Sequence, residues 1–227
     1  SSTSLQNGAA SSVATFFQGI NSVYLVIGAP TSSKGALDID GNSFVSQVEN
    51  DYNSLALIFE PNAEVLQSLA THSHMVPIVA LVRDEANVPL VNFKYNKRQS
   101  QDEIVDEEPA VTMTSTLVPL MSLQQVIQTV PANVHIASLM INEPINKKYA
   151  LALMKSISYN GNSIKRLKRI ELSVMTEEQQ PKEQKKAIMD EYEALIRAKG
   201  FQLEADAPCI EFVRGICKVQ KKIFVKY

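Results

Sequence analysis

The chain has 227 residues, of which 45% are hydrophobic, and a formal net charge of −2 at pH 7. This length and apolar content are enough for one sizeable core, so a single α/β domain is expected. The charge balance provides no overall basic field of the kind that long nucleic-acid or membrane surfaces require, and no run of 18 apolar residues could cross a bilayer. We therefore expect neither a nucleic-acid partner nor a membrane span.

The first twenty residues, which begin "SSTSLQNGAASS", are predicted to form a polar extension ahead of a domain over residues 21–227. The chain begins without methionine, which is consistent with removal of a targeting peptide. Cys209 and Cys217 are too far apart for a CxxC redox or zinc pair, and no N-x-S/T sequon is present. We expect free thiols in an intracellular protein, or in an organellar one after processing.

Strands and helices are predicted to alternate along the chain. Helix starts are marked by Asn62 and by Ser122 with Gln125 as a capping box, and Gly200 ends the last long helix. Continuous apolar strands between amphipathic helices favour a mainly parallel sheet with helices on both faces. The predicted strands are residues 23–27, 55–59, 77–82, 134–141 and 169–174, and the predicted helices are residues 43–52, 63–71, 123–129, 147–157 and 182–199.

Two further segments have distinctive patterns. "CIEFV" and "KVQKKIFVKY", near the C-terminus, are predicted as antiparallel strands, the second an edge strand with its lysines facing water. Residues 94–110 place a basic cluster before an acidic one without an apolar period. They are predicted to form an exposed insertion or hairpin connection that is mobile unless another chain orders it.

Several candidate sites are better explained by ordinary structural roles. His72, His74 and His135 lack a Cys/Asp/Glu set at ligand spacing, so capping or surface roles are predicted and no metal site. "SIKRLKR", residues 163–169, has no interleaved aromatic residue. It is therefore predicted to be a solvent-exposed basic segment before a strand of the sheet, and not an RNA-binding site. No G-x-S-x-G elbow, Walker loop or H-E-x-x-H occurs to support a hydrolase, NTPase or zincin.

The stretch "IFEPN" places Glu60 at the end of the second predicted strand. A carboxylate there offers two acceptor oxygens to two neighbouring hydroxyl groups, although it can instead cap the following helix. This arrangement resembles that of class I S-adenosylmethionine-dependent methyltransferases. "FEPN", the later "VPLMSLQQVI" and "YEALIRAKGFQLE" resemble the FkbM-like members of that class over roughly residues 23–204.

The resemblance implies a Rossmann-like fold of the class I methyltransferase type. It also implies that a cofactor site, or its remnant, involves Glu60, Gly28, Ala29, Asn142 and Glu143. No residue is assigned a catalytic role.

Two motifs depart from the family pattern. The first typically reads D-x-G-A-N-x-G, whereas "LVIGAPTSSKG" has Val26 at the place of the acid and Pro30 at the place of the asparagine. The second typically reads L-K-I-D-V-E-G-x-E, whereas "LMINEPINKK" has Met140 for the lysine and Asn142 for the aspartate, with Glu143 one place out of register.

The departures remove charge and hydrogen-bonding groups from the cofactor side while the strands and helices are kept. They favour a pseudoenzyme, a methyltransferase-like domain that holds no cofactor and serves as a structural or interaction subunit beside other protein subunits. The alternative is an active S-adenosylmethionine-dependent O-methyltransferase, acting on a small molecule or glycan through Glu60 and Glu143.

Overall fold

The structure is a computed structural model of the chain. It describes residues 16–28, 48–67, 69, 72–96, 101–104, 116–145, 152–153, 155–156, 165–175, 194–204, 209–213 and 216–227. Within these ranges, side chains are described except at residues 94–96, 101–104, 143–145, 174–175, 210–213 and 216–220.

The elements follow one another in an order typical of an α/β protein. Helical turns that are only partly described lie at residues 48–49, 152–153, 155–156 and 194–197. The described elements are β1 (Ser22–Ile27), β2 (Ser54–Glu60), α1 (Ala63–Gln67), β3 (Met75–Val79), β4 (Leu81–Arg83), β5 (Leu90–Asn96), β6 (Gln101–Ile104), β7 (Thr116–Ser122), α2 (Leu123–Gln128), β8 (His135–Ile145), β9 (Arg169–Met175), β10 (Gln202–Leu203), β11 (Cys209–Val213) and β12 (Ile216–Val225).

The large sheet has the order β10-β12-β9-β8-β1-β2-β3, with β11 also paired to β12. Its five strands from β9 to β3 are parallel, and β12 is antiparallel to β9, β10 and β11. The predicted mainly parallel α/β fold with antiparallel C-terminal strands is confirmed.

The position predicted for the last strand is wrong. β12 is not an edge strand, because β9 pairs along one side of it while β10 and β11 pair along the other. Lys221 and Lys222 are half-buried rather than turned fully to water. The alternation of apolar and basic residues reflects an ion pair on one face of the sheet, described below, and not an exposed edge.

Both faces of the large sheet are buried, because helices cover both of them. On one face, Leu123, Val126 and Ile127 of α2 belong to the same apolar cluster as the odd-numbered residues of β1. On the other, Leu66 of α1 packs in a cluster with Val26 of β1. The first cluster contains Val23, Leu25, Ile27, Leu55, Leu57, Phe59, Ile136, Leu139 and Ile141, and the second contains Val26, Val48, Ala56, Ile58, Leu66, Leu69, Met75 and Met140.

The predicted helix caps are present. Asn62 Oδ1 accepts the backbone N–H of Glu64 at 3.0 Å at the start of α1. Ser122 and Gln125 form the reciprocal capping box of α2, with each side chain accepting the other residue's backbone N–H. Gly200 has φ +85°, a left-handed conformation that suits glycine at the end of a helix.

A second, smaller sheet of order β4-β7-β5-β6 follows β3. The strand predicted at residues 77–82 divides at Ala80, so that β3 joins the large sheet and β4 the small one. β5 and β6 pair antiparallel across part of the predicted insertion, as a hairpin connection would. Residues 97–100 and 105–110 lie outside the described part, and the mobility of this segment stays a prediction.

Among the described strands of the large sheet, β3 is an edge strand, and it carries a proline. Ala56 N donates to His74 O at 2.9 Å, so in a parallel ladder the N–H groups of residues 76 and 78 point to β2, and the nitrogen of Pro77 points outward. Proline has no N–H to offer there. The outer side of β3 therefore lacks its central donor.

Cys209 is disulfide-bonded, so the expectation of free thiols is wrong for this residue. The physical reason is the pairing of β11 with β12, which brings together the two strands that carry the chain's two cysteines. In the part of the chain that the structure describes, no helix is long and apolar enough to span a membrane.

Arg166 connects the segment before β9 to the turn that follows α2. Its guanidinium group donates to four backbone carbonyls, those of Ile127 (3.4 Å), Val130 (2.9 Å), Pro131 (2.6 Å) and Val134 (3.2 Å). Partial burial lowers the pKa of Arg166. The fork geometry of guanidinium suits this role, because it presents five N–H donors in one plane.

A charged cluster joins β9 to β12. Glu171 is 8% exposed, and its carboxylate contacts Arg169 Nε at 2.7 Å and Lys221 Nζ at 2.5 Å. Burial alone would raise the pKa of Glu171, but hydrogen bonds and charge from Lys221 and Arg169 outweigh burial and hold the pKa below its usual value. Arg169 also contacts the exposed Glu204 at 3.1 Å.

Replacing Arg166 with methionine should lower the free energy of unfolding by about 2–4 kcal/mol, because several charged hydrogen bonds are lost and four carbonyls lose a donor. The melting temperature should fall by roughly 4–12 °C. Lys165→Gln, one residue away at an exposed position, is the control and should change stability by less than about 0.5 kcal/mol. Equal melting temperatures for the two variants would contradict the structural role of Arg166.

Glu171→Gln should lower the free energy of unfolding at pH 7 by about 1.5–3 kcal/mol. The folded-state pKa of Glu171 lies below the unfolded value, so its contribution is complete above the unfolded pKa and is lost as pH falls through the folded pKa. The difference between wild type and variant in urea unfolding should therefore shrink below about pH 4. Glu204→Gln, which removes the exposed partner of Arg169, should cost less than about 1 kcal/mol.

Candidate functional site

The strand order reverses between β1 and β8, at the centre of the large sheet. From β1 the chain proceeds outward to β2 and β3 in one direction, and later to β8 and β9 in the other. In open α/β sheets, ligands bind in the crevice beyond the carboxyl ends of the strands at such a reversal. The candidate site therefore lies beyond Ile27 of β1 and Ile141 of β8, with the end of β2 beside it.

Gly28 follows β1 directly, at the carboxyl end of the strand beside this crevice. Its φ of +79° is in the left-handed region, which glycine adopts without the steric cost that a Cβ would bring. Its N–H donates to Phe59 O at 2.8 Å, which extends the pairing of β1 with β2 by one residue. Gly28 therefore has the position that the sequence predicted.

Glu60 is the last residue of β2 and is half-buried. Its Oε1 accepts the backbone N–H of Asn62 at 2.9 Å, in the turn that leads to α1. Glu60 is thus at the carboxyl end of the second parallel strand, as predicted, and it also has the local backbone contact that the alternative capping role requires.

Asn142 of β8 reaches across the reversal point. Its Nδ2 donates to Gly28 O at 3.3 Å, which joins the carboxyl ends of β8 and β1. The β8–β9 pairing is irregular here: Ile141 pairs with Leu172, and the next pair is Ile145 with Val174. Three residues of β8 face one residue of β9, and such bulges redirect side chains at strand ends.

Val26 and Met140 are cross-strand partners in the β1–β8 pairing. Val26 is fully buried and Met140 is 7% exposed. Both belong to the apolar cluster that also contains Ala56 and Ile58. The two residues are therefore neighbouring parts of the hydrophobic core, one or two residues before the crevice.

The remaining predicted site residues are only partly covered. Ala29 and Pro30 lie outside the described residues, as do the residues that follow them up to 47. Glu143 has a described backbone within β8, but its side chain is not described. The structure thus brings together Gly28, Glu60 and Asn142.

The histidines lie at the opposite, amino end of the sheet or in loops. His72 Nδ1 is 2.6 Å from Glu49 Oε1, and His74 Nδ1 is 3.1 Å from Ser54 O. His135, the first residue of β8, is exposed. Among the described residues, no group of three or more His, Cys, Asp or Glu side chains is placed to hold a metal ion.

An open depression of about 600 Å³ lies apart from the crevice, between the turn that precedes β5 and α2. Its walls combine apolar side chains such as Val88 and Met121 with the amides of Gln125 and Gln128. It contains no charged side chain and is open to solvent. We assign no chemistry to it.

No protein-family model matches the chain, and no curated protein matches it. Three solved structures with a limited likeness are the Methanococcus jannaschii fibrillarin pre-rRNA processing protein (12% identity, 91% of this chain and 66% of that chain, TM-score 0.45), an antibiotic-related methyltransferase (11%, 95% and 92%, 0.43) and the METTL16 methyltransferase domain (9%, 100% and 84%, 0.41). The chain thus spans less than two thirds of the fibrillarin chain. TM-scores below 0.5 carry no argument for function, and the α/β fold stands on the sheet topology described above.

Asn142→Asp should lower the free energy of unfolding by about 1–2 kcal/mol, since a carboxylate would face the Gly28 carbonyl with no hydrogen to donate. Asn142→Ala, which removes the donor without adding a charge, should cost about 1 kcal/mol or less. Urea unfolding at neutral pH measures both values. Asn133→Ala, in the exposed turn before β8, is the control. A wild-type stability for Asn142→Asp would show that the contact between the two strand ends contributes nothing.

Proposed function

We propose that the chain is a methyltransferase-like domain that has lost S-adenosylmethionine binding and catalysis, and that it acts as a structural or interaction subunit of a larger assembly. The proposal joins the sequence resemblance to the chemistry of the crevice beyond β1, β2 and β8. It follows that the fold is retained as a scaffold and that no residue of this crevice performs catalysis.

The observation that carries the proposal is the pairing of Val26 with Met140 in the buried core. The family pattern has an acid and a lysine at these two places. A charge at a fully buried position is costly unless it is paired. Apolar residues at these positions therefore improve packing in a domain that no longer binds the cofactor. Both replacements lie at neighbouring positions, and both make the same region less polar.

Asn142 supports the same proposal through its hydrogen bond to Gly28 O. This contact occupies an amide donor and a carbonyl acceptor at the mouth of the crevice. A bound cofactor would have to compete with it for that N–H and for one of the two lone pairs of the carbonyl. Polar groups that satisfy one another within the chain favour a closed structural role over ligand recognition.

The alternative function is that of an active S-adenosylmethionine-dependent O-methyltransferase on a small molecule or glycan. Glu60 favours it, because the residue lies at the carboxyl end of β2 beside the reversal point, where a carboxylate can accept hydrogen bonds from ribose hydroxyls. The bulge of β8 at residues 142–144 also favours it, since a redirected Glu143 could restore an acid to the crevice.

Isothermal titration of the purified chain with S-adenosylmethionine and S-adenosylhomocysteine distinguishes the two functions. Loss of two charged contacts, at about 1.5–3 kcal/mol each, should weaken binding by about two to four powers of ten. We expect no saturable heat at millimolar ligand. Saturable binding at or below about 10 μM, abolished by Glu60→Gln, would overturn the proposal in favour of the enzyme.

Participation in an assembly has its own test. When native extract is separated by size, the chain should migrate in a particle well above its own mass of 25.1 kDa. Migration of all the native protein as a free monomer would contradict the subunit role.

A further inference from the structure

The edge of the large sheet formed by the amino ends of its parallel strands, opposite the crevice, is continuous from β2 to β12. Asn21 N donates to Asn53 O at 2.8 Å, and His135 N donates to Asn21 O at 3.0 Å. Ile136 and Leu167 form an isolated bridge, and Lys226 N donates to Lys168 O at 2.9 Å. These contacts join the loops before β2, β1, β8 and β9 to the residues after β12. We call this surface the amino edge.

Four lysines from three separate segments lie at the amino edge beside the ends of β9, β12 and β10. Lys165 and Lys168 precede β9, Lys199 precedes β10, and Lys226 follows β12. Lys168 and Lys226 share the backbone hydrogen bond given above, and the Lys226 side chain would lie 3.4 Å from a Cβ added at Gly200. The lysines at 168, 199 and 226 are therefore close neighbours.

Among the described side chains, none of these four lysines forms an ion pair with an acidic residue. Lys226 Nζ has a structural contact of its own, 5.8 Å above the centre of the Phe201 ring. Glu204, which follows β10, is bound to Arg169. Within the described part of the chain, positive charge without an acidic partner is thus concentrated at one end of the amino edge.

Two tyrosine rings on the amino edge are open to solvent. Tyr52, in the turn before β2, is 83% exposed and meets His74 edge-to-face with ring centres 6.1 Å apart. Tyr227, next to Lys226, is 90% exposed. From β2 to β12 is four strand spacings, or about 19 Å. The nearby carboxylate of Asp51 is occupied by Ser54 Oγ at 2.6 Å and Asn53 N at 3.2 Å.

We propose that the amino edge binds single-stranded nucleic acid, with Lys165, Lys168, Lys199 and Lys226 contacting phosphates and Tyr52 and Tyr227 stacking on bases. Single-strand sites combine a basic track along the backbone with aromatic platforms that accept any base. The segment at residues 163–169 contains basic residues but no aromatic residue, which is why the sequence predicted no RNA binding. The fold brings the tyrosine rings to this edge from other parts of the chain.

The chemistry of this surface favours a nucleic acid over the other polyanions. Protein interfaces are depleted of lysine and centre on buried apolar anchors, whereas the side chains that characterise this surface are lysines and exposed tyrosines. An anionic membrane would be bound by lysines alone and would not need rings about 19 Å apart along a sheet edge. The inference is independent of whether the crevice binds a cofactor.

The test is fluorescence anisotropy of the full chain with labelled oligouridine and oligothymidine of about twelve nucleotides, a length within the usual site size. We expect saturable binding of one or both strands. With three or four phosphate contacts, the affinity should fall by about 20- to 50-fold between about 50 mM and about 200 mM salt. The two probes distinguish RNA from DNA as the source of the strand.

Two variants test the contributions of the lysines and of Tyr52 separately. The triple variant Lys168→Gln, Lys199→Gln, Lys226→Gln should weaken binding at low salt at least about tenfold and flatten the logarithmic salt slope by about two. Tyr52→Ala should weaken binding by about 5- to 150-fold and leave the salt slope unchanged. Lys155→Gln, an exposed lysine away from the amino edge, is the matched control and should bind as wild type does.

Melting temperatures of all variants should lie close to the wild-type value, which excludes unfolding as the cause. The proposal is overturned if neither probe binds saturably by about 100 μM, or if the triple variant binds like wild type. It is also overturned if a polyglutamate peptide or a phosphatidylserine vesicle binds more tightly than either strand, through the same lysines and without need of Tyr52.

Discussion

The parallel pairing of β1 with β8 is the constraint on which the rest of the molecule depends. Because both strands run in the same direction, the chain between them must return to the amino edge, and both faces of the sheet must then be covered. The second requirement explains why Val26 and Met140 are buried partners while Val23 and Leu25 serve a separate cluster. The same pairing produces the reversal of strand order, and hence a crevice.

The crevice and the core place opposite demands on the same few residues. Recognition of a charged cofactor needs polar groups at the strand ends, whereas packing two strands tightly needs hydrocarbon a residue or two earlier. In this chain Val26 and Met140 meet the demand of packing, and Asn142 binds Gly28 O at the strand ends. Glu60 combines the two properties, since it ends a buried strand and has its carboxylate at the edge of the sheet.

Much of the fold could be predicted from the sequence because its signals are local. The apolar runs at β1, β2, β8 and β9, the box of Ser122 with Gln125 and the turn at Gly200 each lie within a few residues. Strand order, in contrast, depends on residues that are distant in the chain. The alternation of apolar and basic residues in β12 is compatible with an edge or an interior position. The half-buried position of Lys221 is explained only by its ion pair with Glu171 on the neighbouring strand. The bulge of β8 and the meeting of Lys168 with Lys226 likewise depend on partners that are distant in the chain.

The proline of β3 bears on how the molecule can associate with others. A foreign strand that extends a sheet needs a regular row of donors and acceptors along the free edge, and Pro77 interrupts that row at its middle. Growth of the sheet from this side, whether into a continuous intermolecular sheet or an ordered aggregate, is therefore disfavoured. Neighbours that approach from this direction must recognise side chains and not the backbone, which makes their selection dependent on sequence.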